Sequence, residues 1–418
     1  STPNPQPPTM TPSPAPTATP PAARLLLFGV ALPGLLICGF SVVALAALGS
    51  TIEADLRLSH TWLGALQSAT FAGNLLGSLA FAHYIRRHRL SSLGLVALGL
   101  LLLGNLLSAI PHLAGLLPGR LGLGLANCGL MLFGSSLAMR AWPTRQDALL
   151  NLVHGTIAGG ATLGMILTLP LAHQVGAWQR LPVLFAVVLL PMLVLLIWQA
   201  RRRHFVLACP TADDAAHAAS PHLLRAWANL LRDPVMRRTA PALVAYILAE
   251  SAVITFYPIL AQHRATLPAG LAATLTGFFI GGIVLGRMLV ALYLGTRDAR
   301  RLTLALMALG TLVLLACLWA TALSPWLLAS LLTLGGALMG PTAPLLIGLA
   351  VRGASGSRED ILALTNALLC VGGLAGGALV GWWCDQLGLA PALAISLLVF
   401  VGSAWPLLGQ RVPLAATG

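Results

Sequence analysis

About twelve apolar runs, each long enough to cross a bilayer as a helix, constrain this chain more than any other feature. They cover residues 24–50, 60–83, 91–110, 113–138, 148–172, 181–200, 239–261, 270–294, 301–322, 326–350, 361–384 and 390–409. A membrane-crossing helix needs roughly 20 apolar residues. The runs are continuous and rich in Leu, Ala and Gly, whereas barrel strands alternate apolar and polar residues, so the segments read as helices. Composition agrees: 57% of residues are hydrophobic and 8% are charged, against about a quarter charged in soluble domains. The expected fold class is therefore an all-α membrane protein with twelve transmembrane helices.

The net charge of +13 raises the possibility of a nucleic-acid partner, and the placement of the charge argues against it. All 24 Lys+Arg residues are Arg. With the N-terminus in the cytoplasm, nineteen of them fall in the tails or in loops on that side, among them Arg86, Arg87, Arg140, Arg201, Arg237, Arg300 and Arg352. Arg57, Arg180 and Arg264 fall on the other side, and Arg120 and Arg287 lie within helices. This bias is the positive-inside pattern. It predicts both termini in the cytoplasm, a plasma-membrane location and no nucleic-acid partner. The six cysteines are scattered without metal-ligand spacing and read as packing residues, so neither metal nor cofactor is expected. Residues 1–23, "STPNPQPPTMTPSPAPTATPPAA", have the composition of a disordered tail rather than of a signal peptide.

One long polar segment, residues 201–238, separates six runs from six. It predicts halves at 24–200 and 239–410, followed by a short tail at 411–418. Within it, "SPHLLRAWANLLRDP" suits either an amphipathic surface helix with Leu224, Trp227 and Leu231 on one side, or a flexible tether. The halves repeat each other. "LLGSLAFAHYIRRHRLSSLGLVALGLLLLG" from Leu75 matches "VLGRMLVALYLGTRDARRLTLALMALGTLV" from Val284, pairing Gly77 with Gly286, Arg89 with Arg301 and Gly99 with Gly310. Two pseudo-symmetric six-helix halves form a transporter architecture whose site is expected near the midplane between them.

The order of several short motifs resembles the major facilitator superfamily. "GRLGLGLANCG" at Gly119–Gly129 is similar to the Arg–Gly pattern of that family's fourth helix, "LAHQVGAWQRLPVLF" to its turn between helices five and six, and "VGWWCDQLG" to its eleventh helix end, with Asp385 in the acidic place. Within the family, "YILAE" at Tyr246–Glu250, "GGIVLGRML", "LNLVHGTIAGGATLG" with His154, and "GALMGPTAPLLIGLA" resemble the fucose/glucose:proton symporter-like branch. The resemblance implies a secondary transporter, and the branch implies a proton-linked sugar carrier. The chain also departs from the family pattern. His83 and Arg86 replace the Asp and Gly of the motif between helices two and three, which puts the usual latch in doubt. Helix one has no acid and Asn127 stands near the fourth-helix acidic position, so the fucose proton route does not carry over.

Of eleven acids, ten lie in loops or at helix ends; Glu250 alone lies deep, about 16 Å into its helix. A carboxylate at that depth costs roughly 2.5–3.5 kcal/mol on insertion scales and marks function. Tyr246 and Tyr257 share its face. Glu250 can load and release a proton, bind substrate, or pair statically with Arg287 on the next helix. Arg287 alternatively snorkels to the interface. Arg120 either neutralises an anion or poises a proton, or it hydrogen-bonds helix carbonyls. Gln67, Asn74, Asn127, Asn151, His154 and Asn366 are the remaining polar candidates. They suit a hydroxyl-rich or zwitterionic ligand, or else join helix to helix.

The reading favoured is a monomeric, non-enzymatic transporter that imports a sugar-like solute with a coupling proton or sodium ion. Efflux and ligand sensing without flux are the alternatives. No GxSxG motif or nucleotide loop is present to favour an enzyme or an ATP motor.

Overall fold

The computed structural model describes residues 21–84, 88–141, 146–201, 223–265, 267–293, 299–319 and 323–408. The N-terminal tail, most of the central polar segment (with Cys209), Arg86 and the C-terminal tail lie outside the described residues, and so do the side chains of His83, Asn151 and Leu224.

Among the described residues the chain is all helix. The long helices are α1 (Ala23–Ala47), α2 (His60–Tyr84), α3 (Leu90–Ser108), α4 (Leu113–Ala141), α5 (Gln146–Val175), α6 (Arg180–Arg201), α7 (Pro234–Ala265), α8 (Ala269–Tyr293), α9 (Ala299–Trp319), α10 (Pro325–Gly353), α11 (Arg358–Leu387) and α12 (Leu389–Gly402). Eleven of these segments are long and apolar enough to cross a membrane. The remaining one, α2, has 25 residues, which is sufficient length. Its hydropathy is lowered by Gln67, Ser68 and Asn74, which bond other helices, and by Thr70, whose hydroxyl bonds the Leu66 carbonyl of its own helix.

Packing repeats after six helices. Helix α1 packs on α5 as α7 does on α11; α2 packs on α4 as α8 does on α10; α3 meets α4 and α6 as α9 meets α10 and α12. The halves join along α2–α11 and α5–α8, which the same exchange interconverts. Small residues permit these joints. A Cβ on Gly64 would strike the Gly377 carbonyl, and one on Gly377 would strike that of Gly64. Ser68 adds a polar contact there. Its hydroxyl donates to the Leu374 carbonyl at 2.6 Å and accepts the Ala378 N–H at 2.8 Å, inserting into the hydrogen-bond ladder of α11.

Three boundaries differ from the sequence expectation. Helix α7 begins at Pro234 rather than near 239, because Asp233 caps it. The Asp233 carboxylate accepts from the Val235 and Met236 amides, and Pro234 occupies the first helical position, where no amide donor is needed. Helix α10 is two segments, Pro325–Met339 and Thr342–Gly353, meeting at Gly340 and Pro341. The amphipathic segment forms a helix at Leu223–Leu230, with Trp227 and Leu230 packed near Met236, Ile361 and Leu364. Leu231, expected on its apolar side, is instead 42% exposed, one position past the inward face.

The largest apolar core belongs mainly to the second half and takes in Val43, Leu45, Ile52, Leu63 and Leu66 of the first. Those residues lie toward the membrane side away from the arginine-rich loops. On that side Asp385, near the end of α11, caps the start of α2. Its carboxylate accepts from the His60 N–H (3.0 Å), the Thr61 N–H (2.9 Å) and the Thr61 hydroxyl (2.6 Å), while the His60 ring contacts Glu53 at 2.6 Å. The close inter-half contacts of Gly49, Gly64, Gly277, Gly373, Gly377 and Gly381 all lie in this half of the membrane. Here the two halves are shut against each other.

Candidate functional site

The deep acid sits within a polar cluster assembled from three helices. Tyr246 and Glu250 are one turn apart on α7, so their side chains stack on one face. Tyr246 is fully buried, edge-on to Phe400 with ring centroids 6.0 Å apart. Its hydroxyl accepts from Arg287 Nη2 at 3.2 Å and engages Glu250. Arg287 Nε donates to the Gly340 carbonyl at 3.1 Å. Glu250 is half-buried, and its Oε2 is buried with no hydrogen-bond partner among the described residues.

The Arg287–Gly340 bond follows from two local sequence features. In an α-helix the Gly340 carbonyl would accept from the amide of residue 344, which is Pro344 and has no N–H. That orphan acceptor is available to a neighbouring donor. The neighbour comes close because α8 and α10 are notched by glycines: a Cβ on Gly286 would strike the Ala337 carbonyl, and one on Gly340 would meet Ile283 of α8. Arg287, the residue after Gly286, therefore turns inward to α7 and α10 rather than out to the interface.

The remaining candidates divide into three groups. His154 on α5 is exposed and within electrostatic reach of Arg287 across the join between halves. Asn366 on α11 is likewise exposed. Asn127 Nδ2 donates to Asn74 Oδ1 at 2.9 Å, tying α4 to α2, and Asn127 Oδ1 is buried without a partner. Arg120 is 2% exposed and lies inside the first half, donating to the carbonyls of Ser41 (3.0 Å) and Val42 and to Gln67 Oε1 (3.4 Å). Both Arg120 and Gln67 are thus occupied in joining α1, α2 and α4. Tyr257 is 3% exposed and packs in the main core with Phe256 and Ile259, so it does not extend the Tyr246–Glu250 cluster into open space. Asn151 lies on α5, its side chain outside the described residues.

Sequence reading missed Gly340, Ser68 and the role of Asp385 as a cap between halves. Pro344 four residues after Gly340 is a signal for the first. No signal in the sequence pairs Ser68 with Leu374. Among the described residues no group of three or more His, Cys, Asp and Glu could hold a metal ion.

Chemically, the cluster sets a hydrogen-bonded cation and phenol beside a carboxylate one helical turn away, with the carboxylate incompletely satisfied. The phenol accepts from Arg287 and keeps its own O–H as a donor. Arg287 thus joins the phenol beside Glu250 to the break in α10.

The comparisons with known proteins agree with this architecture. The profile of the Major Facilitator Superfamily matches residues 31–377. A bacterial homologue of the human lysosomal transporter Spinster, solved inward-facing and unoccupied, is similar with a TM-score of 0.67 and 13% identity, covering 93% of this chain and 95% of that one. A POT family transporter in complex with a thioalcohol-conjugated peptide is similar with a TM-score of 0.69 and 15% identity, covering 92% and 95%. A POT family transporter in complex with 5-aminolevulinic acid gives 0.69 and 14%, with the same coverage. At these identities the likeness is one of fold. No curated protein matches the chain in sequence.

Proposed function

The chain belongs to the Major Facilitator Superfamily and is a multi-pass membrane transporter, and from that premise we propose that it moves a small polar solute by proton-coupled alternating access, with Glu250 as the proton carrier. The observation that carries this reading is the buried, unpartnered Oε2 of Glu250 beside a Tyr246 hydroxyl already bonded to Arg287. One oxygen of that carboxylate has no donor on it, so gain or loss of a proton there alters the contacts open to Tyr246 and Arg287. The two states differ in what Arg287 feels, and Arg287 is bonded to both α7 and α10.

The proposed solute is sugar-like, in keeping with the resemblance of "YILAE" and its companion motifs to the fucose/glucose branch. Glu250, Arg287, His154 and Asn366 together offer donors and acceptors suited to hydroxyl groups. A zwitterionic solute is the second reading, because acid and guanidinium stand in one cluster. The POT structure with 5-aminolevulinic acid is an example of this fold holding such a molecule. In this reading the carrier is a monomeric importer of the inner (plasma) membrane, and the arginine bias supports the placement of both termini in the cytoplasm. The described state is then closed toward the outside.

The direct test is proton movement. In weakly buffered proteoliposomes, adding the transported sugar or zwitterion alkalinises the outer medium if the proton enters with it. Solute uptake with no pH change, unaltered by an imposed proton gradient, would contradict the coupling.

A further inference from the structure

A groove of about 610 Å³ runs along the outer side of α7. Its α7 wall is Arg237, Pro241, Val244 and Leu248, spaced four, three and four residues apart and so on one helical face. Val399 of α12 and Ser403, the residue after its end, form the facing wall, and Leu231 also lines the groove. The lining is apolar except at Arg237 and Ser403, and the Ser403 hydroxyl already donates to the Phe400 carbonyl at 2.6 Å. The Arg237 guanidinium is exposed and has no ion-pair partner among the described residues.

The dimensions identify the occupant. From Arg237 to Leu248 is eleven residues, about 16 Å along a helix. That is close to half of the roughly 30 Å hydrocarbon core, the depth of one leaflet. The charged end lies on the arginine-rich side, level with the membrane surface, and the apolar end points to the bilayer middle. A ligand matching this groove has one anionic end and an acyl chain one leaflet long. We infer that the α7–α12 groove is a binding site for an anionic phospholipid, with its phosphodiester at Arg237 and an acyl chain along Val244, Leu248 and Val399.

The site has a functional consequence. The groove uses one face of α7, and Tyr246 and Glu250 use another. A lipid seated between α7 and α12 stiffens the helix that carries the proposed proton site, so solute transport rises with anionic lipid content.

Native mass spectrometry on delipidated full-length protein tests the inference. Phosphatidylglycerol and phosphatidylcholine are added at equal concentration. Wild type is expected to retain phosphatidylglycerol about fivefold over phosphatidylcholine, the effect of one basic residue near an anionic headgroup. Arg237→Gln, a change to an exposed side chain, is expected to bring the ratio to about one. Val244→Trp, which fills the groove and leaves the charge, is expected to lower retention of both lipids. Equal retention of the two lipids by wild type overturns the inference. So does a preference that survives Arg237→Gln, or displacement of phosphatidylglycerol by inorganic phosphate alone, which would make the site one for free phosphate. If wild type retains neither lipid while Val244→Trp lowers its melting temperature, a segment of the chain fills the groove and the inference also fails.

Discussion

Arg287 and Tyr246 meet at 3.2 Å between α8 and α7, and this bond links the deep carboxylate of Glu250 to the break in α10. Tyr246→Phe removes only the hydroxyl. The ring is fully buried and edge-on to Phe400, so packing survives. Hydrogen bonds to charged groups contribute about 1.5–3 kcal/mol. Transport by the variant is expected to fall at least about tenfold, with the melting temperature changed by only a few degrees. Transport assays and thermal unfolding on the same preparation check this. Wild-type transport would remove Tyr246 from the relay.

Pro344→Ala is expected to separate stability from function. Alanine supplies the amide that the Gly340 carbonyl lacks, closing the helical turn and releasing Arg287 Nε. The melting temperature rises, and transport falls because Arg287 loses its hold on α10. A variant both less stable and fully active would contradict the account of Gly340 given above.

Asp385→Ala tests the closure between halves. The carboxylate takes three hydrogen bonds from His60 and Thr61 at the start of α2. Loss of a helix cap costs about 1 kcal/mol. Here the loss falls on the closed state and should raise the population open on the side away from the arginine-rich loops about fivefold. Single cysteines placed on that side, probed with a membrane-impermeant thiol reagent, should label faster in the variant. Unchanged labelling would mean that the glycine contacts alone hold this side shut.

Asp233 gives a pH dependence outside the membrane-spanning segments. Burial pushes its carboxyl up, but bonds from the Ser355 hydroxyl and N–H and from the Val235 and Met236 amides outweigh this and hold it below the ordinary carboxylate range. A carboxyl lowered in the folded state stabilises fully above its unfolded value of about 3.9, and that contribution disappears as pH falls through the folded value. Asp233→Ala should therefore melt lower than wild type at neutral pH, by the equivalent of about 1 kcal/mol. The gap should close as pH falls through the lowered folded value. A gap that persists unchanged at acid pH would assign the loss to packing.

Much of the fold was legible in the sequence because lipid leaves helices little choice. Residue runs near twenty in length located the helices, and the repeat from Leu75 to Val284 reappears as matched packing of α2 and α8. The expected helix at 60–83 is present as α2 (His60–Tyr84), although its polar residues leave it outside the eleven segments apolar enough to cross a membrane. The α7 start was legible and was overlooked: Asp233-Pro234 is a cap followed by a first-turn proline. At the site, Tyr246 and Glu250 were paired by helical spacing alone. The partner of Arg287 was not legible, because it depends on how closely Gly286 and Gly340 let α8 and α10 approach. Arg120 and Gln67 could not be separated from a ligand site by sequence, since the bonds from Arg120 to the Ser41 and Val42 carbonyls are visible only once α1 is packed against α4.

The central claim concerns Glu250, and Glu250→Gln isolates it by keeping the shape while removing the titration. In proteoliposomes containing this variant, accumulation of the solute driven by a proton gradient should be abolished. Counterflow exchange of the same solute, which needs no net proton movement, should persist. Accumulation by the variant against a gradient, with wild-type pH dependence, would contradict the proposal that Glu250 carries the proton.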